Sequence, residues 1–111
     1  MIKTEAIKEG NATVVKVSGR LDNVTASQFD TACDKLLRDG TLSLVLDFSN
    51  LTYISSAGLR SVLLLGKKSK ARGGRVLICG LSQMVKDVFQ ISGFMGMFPV
   101  FQNREEALAN A

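Results

Sequence analysis

The sequence contains no histidine and no tryptophan, and only one proline (Pro99) and two cysteines among 111 residues. The missing histidine excludes the most chemistry. Ser-His and Cys-His nucleophile pairs, imidazole general bases and nearly every zinc site depend on it. The cysteines, Cys33 and Cys79, are far apart with no Cys-x-x-Cys grouping, which predicts buried packing thiols and not a disulfide scaffold. The longest clearly apolar run, Val62 to Leu65, falls far short of the ~20 residues that a membrane span requires. The opening Met1-Ile2-Lys3-Thr4-Glu5 has no apolar signal-peptide core. These absences predict a soluble cytoplasmic chain with reduced thiols, no membrane insertion, no catalytic residues, no metal and no cofactor of its own.

What remains is enough for one core. Hydrophobic residues make up 46% of the chain, and 14 Lys+Arg against 10 Asp+Glu leave a net charge of +4. That mild excess is spread along the chain and not gathered into a stripe, so no direct nucleic-acid contact is expected.

Residues 2–7 alternate loosely and predict an edge strand, joined by a Gly10-Asn11 turn to the β-branched run 13–17. Ser18 to Asn23 reads as a polar loop. Thr25-Ala26-Ser27-Gln28 fits a capping box, with Val24 and Phe29 as its hydrophobic staple. Phe29, Ala32, Cys33, Leu36 and Leu37 then form one helical face that ends at Gly40. The run 42–48 predicts a strand buried on both faces, followed by a Ser49-Asn50 turn. A second helix starts in Ser55-Ser56-Ala57-Gly58, with Leu59, Val62, Leu63 and Gly66 as its inner stripe and Lys67, Lys68 and Lys70 at its solvated end. Gly73-Gly74 breaks it before a buried strand at 75–80. Ser82 caps a third helix bearing Val85, Val88, Phe89 and Ile91. Residues 98–101 predict a short edge strand, and Asn103 with Glu106 opens a last helix in which Leu108 points inward. The fold expected for residues 1–111 is a single α/β domain of ββαβαβαβα order, with a mixed, largely parallel central sheet and crossover helices. Met84, Met95 and Met97 with Phe94 and Phe98 read as core and edge packing, or as an adaptable surface.

The stretch 55–59 is the most informative chemically. A serine hydroxyl at a helix start can cap the helix, attack as a nucleophile or accept a phosphate. The nucleophile use lacks a base, since only Asp47 and distant lysines are of the right type. Capping and phosphate acceptance both fit the residues, and capping is the commoner use of such a serine.

Asp47-Phe48-Ser49-Asn50-Leu51-Thr52-Tyr53-Ile54-Ser55-Ser56-Ala57-Gly58-Leu59 resembles the signature segment of STAS domains, and most of all that of the bacterial anti-sigma factor antagonists. Gly19-Arg20-Leu21-Asp22, Gly73-Gly74 and the segment Ser82 to Gly93 resemble further motifs of the family. The resemblance thus runs over nearly the whole chain. It implies that Ser56 is the phosphoacceptor, with Ser55 standing where the family usually has aspartate and Ala57 where it has a second hydroxyl. It also places Asp22 and Asn23 on the recognition surface, although Asp22 equally suits a loop cap. With Ser55, Ala57, Gly58 and Arg60 they form the expected partner-binding set. The implied function is that of an antagonist that binds an anti-sigma factor serine kinase while unphosphorylated. Phosphate on Ser56 would switch it off, and a PP2C-type phosphatase would restore it. The rival implication is a non-phosphorylated STAS subunit of a lipid or ion transporter. A mixed patch of Ala57, Arg60 and Leu64 beside Ser56 suits a transient partner.

Overall fold

The computed structural model describes residues 1–111. Its elements run β1 (Ile2–Glu9), β2 (Ala12–Leu21), α1 (Ala26–Arg38), β3 (Ser43–Ile54), α2 (Ser56–Ala71), β4 (Arg75–Cys79), α3 (Gln83–Ser92), a 3₁₀ turn (Phe94–Gly96), β5 (Val100–Phe101) and α4 (Arg104–Ala109). The five strands form one sheet in sequence order. β1 and β2 are antiparallel, and every later pairing is parallel. This is the expected element order and the expected mixed sheet.

Gly10 adopts φ 60° at the first position of the two-residue β1–β2 turn, the backbone that a hairpin with right-handed strand twist needs there. Helix α1 buries Phe29, Cys33 and Leu37. It closes on Gly40, where Gly40 N–H reaches the Leu37 carbonyl and Thr41 N–H reaches that of Leu36.

One sheet face carries the main core. Val15, Val17, Leu44, Leu46, Phe48, Val76 and Ile78 meet Phe29, Val62, Leu65, Val85 and Phe89 from the helices. The opposite face carries a smaller cluster of Ala12, Val14, Val45, Leu77 and Cys79, covered by Ala107 of α4. An ion pair between half-exposed Arg104 and buried Asp47 pins α4 there, with Arg104 Nη2 3.0 Å from Asp47 Oδ2. Burial works to raise the Asp47 pKa. The Ser49 hydroxyl and amide, with Arg104, outweigh it and hold the carboxyl below its ordinary range.

Several local expectations are corrected. The polar stretch 18–21 is strand and not loop, and β3 passes through Ser49-Asn50 without a turn. Pairing continues through register shifts between Lys16 and Ser18 and between Gly19 and Arg20. Such bulges break the alternation by which a strand is recognised. The capping box at Thr25 does not form. Its side chain makes no cap bond, Gln28 Nε2 instead donates to the Ile2 carbonyl, and Val24 is 79% exposed, so no staple exists. The inner stripe of α2 is Gly58, Ser61, Val62, Leu65 and Ser69, with Leu59 and Leu63 half-buried beside it. Ile91 points to solvent, whereas Leu108 does point inward, packing half-buried on the smaller cluster beside fully buried Ala107.

Candidate functional site

The site lies at the carboxyl ends of β2 and β3. Leu21 pairs with Ile54 at the last rung of that ladder. Ser55 N–H then donates to the Leu21 carbonyl at 2.9 Å, which brings the loop after β2 against the start of α2. Asp22 and Ser56 each follow one partner of this bond. Sequence separation of more than thirty residues is closed by a single strand pairing.

Ser55 is the N-cap of α2. Its backbone is extended and its hydroxyl accepts the Gly58 N–H at 3.3 Å. Serine and aspartate are both strong caps, so serine at this position keeps the cap while removing a charge. Ser56 is the first helical residue. It is exposed, and its hydroxyl makes no hydrogen bond within the chain. The first-turn N–H groups of Ser56 and Ala57 have no intrahelical acceptor, and the helix dipole adds positive potential there. The sequence alone left the capping duty open between the two serines. The structure assigns it to Ser55 and leaves Ser56 free.

Gly58 is buried for a steric reason. A Cβ there would stand 2.6 Å from the Leu21 carbonyl oxygen and 2.9 Å from both Leu21 Cγ and Ile54 Cγ1. Only hydrogen at this position lets α2 press onto the end of the β2–β3 ladder. Arg60 is exposed one turn along from Ser56, the spacing at which helix side chains meet.

Asp22 organises the loop. Its Oδ1 accepts the Val24 N–H at 2.9 Å and the Thr25 N–H at 3.1 Å. Its own N–H donates to Thr25 Oγ1 at 3.0 Å, and its carbonyl takes the Ala26 N–H at 2.8 Å. The bond from Val24 leads in holding the carboxyl below its ordinary pKa. Desolvation, next in size, opposes it, and Thr25 and Arg20 add to it. Asp22 thus caps the turn that leads into α1, while the Gln28 and Phe29 N–H groups go to the Thr25 carbonyl. Asn23 and Val24 sit exposed at the loop tip.

Sequence reasoning passed over Arg20 and Tyr53. The Arg20 guanidinium lies 4.2 Å from the centroid of the Tyr53 ring, with Nε 3.7 Å from Asp22 Oδ2. The two residues are paired across the ladder, so the stack extends the surface beside Ser56. Arg20 lay inside a quoted motif, but nothing in the sequence showed that the 18–21 stretch was strand facing Tyr53.

The surface offers exposed hydroxyl, amide, guanidinium and aromatic groups. No three His, Cys, Asp or Glu side chains are grouped to hold a metal ion. Both thiols lie away from it, and burial pushes Cys33 and Cys79 up to about 12.

The STAS domain profile matches residues 3–107. The chain belongs to the STAS family. A candidate anti-sigma factor antagonist of Bordetella bronchiseptica, BtrV, is 40% identical over 93 residues, covering 84% of this chain and 80% of that protein. The crystal structure of an anti-sigma factor antagonist from Mycobacterium paratuberculosis superposes with a TM-score of 0.91 at 24% identity, covering 99% of this chain and 93% of that one. Unphosphorylated SpoIIAA gives a TM-score of 0.83 at 24% identity, covering 97% and 95% of the two chains. The Bacillus protein in its phosphorylated form gives 0.75 at 23% identity, covering 99% and 98%. STAS domains of this antagonist group are regulatory binding proteins and not enzymes. No helix here is long and apolar enough to cross a membrane.

Proposed function

We propose that this STAS domain is an anti-sigma factor antagonist switched by phosphorylation of Ser56. The observation that carries the reading is the unbonded, exposed Ser56 hydroxyl at the first position of α2, in a chain 40% identical to BtrV. Unphosphorylated, the surface of Asp22, Asn23, Ser55, Ser56, Ala57 and Arg60 binds an anti-sigma factor serine kinase and so frees a sigma factor; Gly58, expected on that surface, is buried beneath it and acts by seating α2. The kinase brings ATP and Mg²⁺ and transfers phosphate to Ser56; a PP2C-type phosphatase removes it. This chain is a substrate and a ligand and supplies no catalytic group.

The switch is electrostatic. Phosphate adds about −1.5 to −2 charge and three acceptor oxygens. In the free domain it meets the uncommitted N–H groups of the first turn and Arg60. In the complex it must be desolvated against a partner surface that had packed on a neutral hydroxyl. Ser55 is a poor competing acceptor because its oxygen is engaged by the Gly58 N–H.

The test incubates the wild type, Ser56→Ala and Ser55→Ala with an anti-sigma factor serine kinase and ATP, and reads intact mass and kinase binding. The wild type and Ser55→Ala gain one phosphate. Ser56→Ala gains none, keeps its fold and still binds. Phosphate on Ser56→Ala but not on Ser55→Ala would move the acceptor by one residue. Absence of phosphate on every form, with unchanged partner affinity, would overturn the reading.

A further inference from the structure

We propose that the cleft between the C-terminal half of α2 and the starts of β4 and β5 binds a free amphiphilic anion, an alkyl body with one carboxylate or phosphate head. The cleft has a volume of about 410 Å³, within the roughly 300–1,000 Å³ of small-molecule sites. Leu63, Val76 and Phe98 form its apolar lining, and Met97, 54% exposed, stands at its mouth. Lys67, Lys70 and Arg75 rim it, and no carboxylate lines it.

The charge pattern is what selects the ligand. None of the three rim cations is in an ion pair, whereas neighbouring Lys68 is 3.1 Å from Asp34. Their aliphatic stems flank apolar surface while their heads stay in water, so an anion at the rim and an alkyl chain on the floor are both accommodated. Gly66 shapes the floor. A Cβ there would stand 2.7 Å from Phe98 Cε1, so glycine lets the ring lie directly on the helix. The concavity favours a free molecule over a membrane. Three cations fall short of the roughly 4–8 in a polybasic lipid-binding cluster, and the apolar face of α2 is already turned into the core.

The test titrates the full chain with dodecanoate below its micelle-forming concentration and follows amide ¹H–¹⁵N shifts, with dodecyltrimethylammonium as the matched cation. Saturable shifts are expected at Gly66, Arg75, Val76 and Phe98 for dodecanoate alone. The double variant Lys67→Glu, Lys70→Glu should bind about tenfold more weakly or worse, as loss of two charge-assisted contacts implies. Met97→Glu, at an exposed position that leaves folding intact, should also weaken binding. Equal response to both amphiphiles, shifts centred on Ser56 instead, or unaltered affinity in the charge variants would overturn the proposal. So would retention on phosphatidylglycerol vesicles without any response to free dodecanoate, which would mark surface adsorption.

Discussion

Replacing Gly58 by alanine tests how the Ser56 surface is held together. The backbone there is ordinary helix, so the outcome is decided by space and not by φ. Alanine gains about 1 kcal/mol in helix propensity over glycine. Against this, the new methyl would stand 2.6 Å from the Leu21 carbonyl oxygen and 2.9 Å from two side-chain carbons. Crowding of this kind costs about 1–3 kcal/mol. The oxygen cannot retreat freely, because it accepts the Ser55 N–H at 2.9 Å. Losing that bond adds about 0.5–1.5 kcal/mol. The net expectation is a loss of about 0.5–3.5 kcal/mol, read as a lower urea midpoint at unchanged m-value. Amide shifts should change at Leu21, Asp22, Ser55 and Ser56, and partner affinity should fall with them. A stabilisation of about 1 kcal/mol, the propensity gain alone, would mean that α2 stands off from the ladder and that the loop and helix are not one surface.

Three further outcomes follow from the same geometry. Asp22→Ala should lower the melting temperature, because the loop amides of Val24 and Thr25 lose their acceptor. Asp22→Asn keeps an oxygen for them and should restore stability, so any affinity still missing in Asp22→Asn reports the charge. Asp47 has a folded-state pKa below its unfolded value. Its contribution is therefore complete above roughly pH 4 and lost as pH falls through the folded value. Urea midpoints measured across that range should show a shallower acid loss in Arg104→Gln, which should also cost about 1.5–3 kcal/mol at neutral pH. Leu65→Ala should cost about 2–5 kcal/mol, and half-buried Leu63→Ala distinctly less; the reverse order in equilibrium unfolding would mean that the face of α2 is wrongly assigned.

The element order was legible because each helix and buried strand carries a strong local signal: the five-residue face of α1, the apolar runs at 44–46 and 76–79, and glycines at the breaks. What escaped was produced by long-range pairing. Ser18-Gly19-Arg20 is polar and glycine-bearing, so it reads as loop until β3 lies beside it. Gly19 then adopts φ 100°, and a Cβ there would run into the Met1 carbonyl oxygen, a contact that exists only once β1 is paired with β2. The Asp47–Arg104 pair joins residues 57 apart in sequence and has no local signature. At the site, Ser55-Ser56 showed a helix start, but which serine caps depends on the extended backbone of Ser55. Asp22 and Thr25 had the three-residue spacing of a cap, and the ladder end decides that Asp22 supplies the acceptor.

The uneven lengths of the strands explain why the Ser56 surface is accessible at all. β4 pairs with β3 only from Ser43 to Asp47, while β2 follows β3 as far as Ile54. Beyond Asp47, β3 is paired on one side only, by β2, and β1 follows β2 as far as Gly19. This part of β3 is anchored in the core by Phe48, Leu51 and Ile54, and Ser49, Asn50 and Thr52 are left in solvent. Only the last rungs, Arg20–Tyr53 and Leu21–Ile54, are two-stranded, and two strands are marginal alone; here the close seat of Gly58 and the Ser55–Leu21 bond press α2 onto that end. The rigidity of the site thus comes from backbone contacts that involve neither the Ser56 hydroxyl nor Arg60. Charge at Ser56 can then change without disturbing the fold that presents it, which is the physical condition for a surface read by a partner in two states.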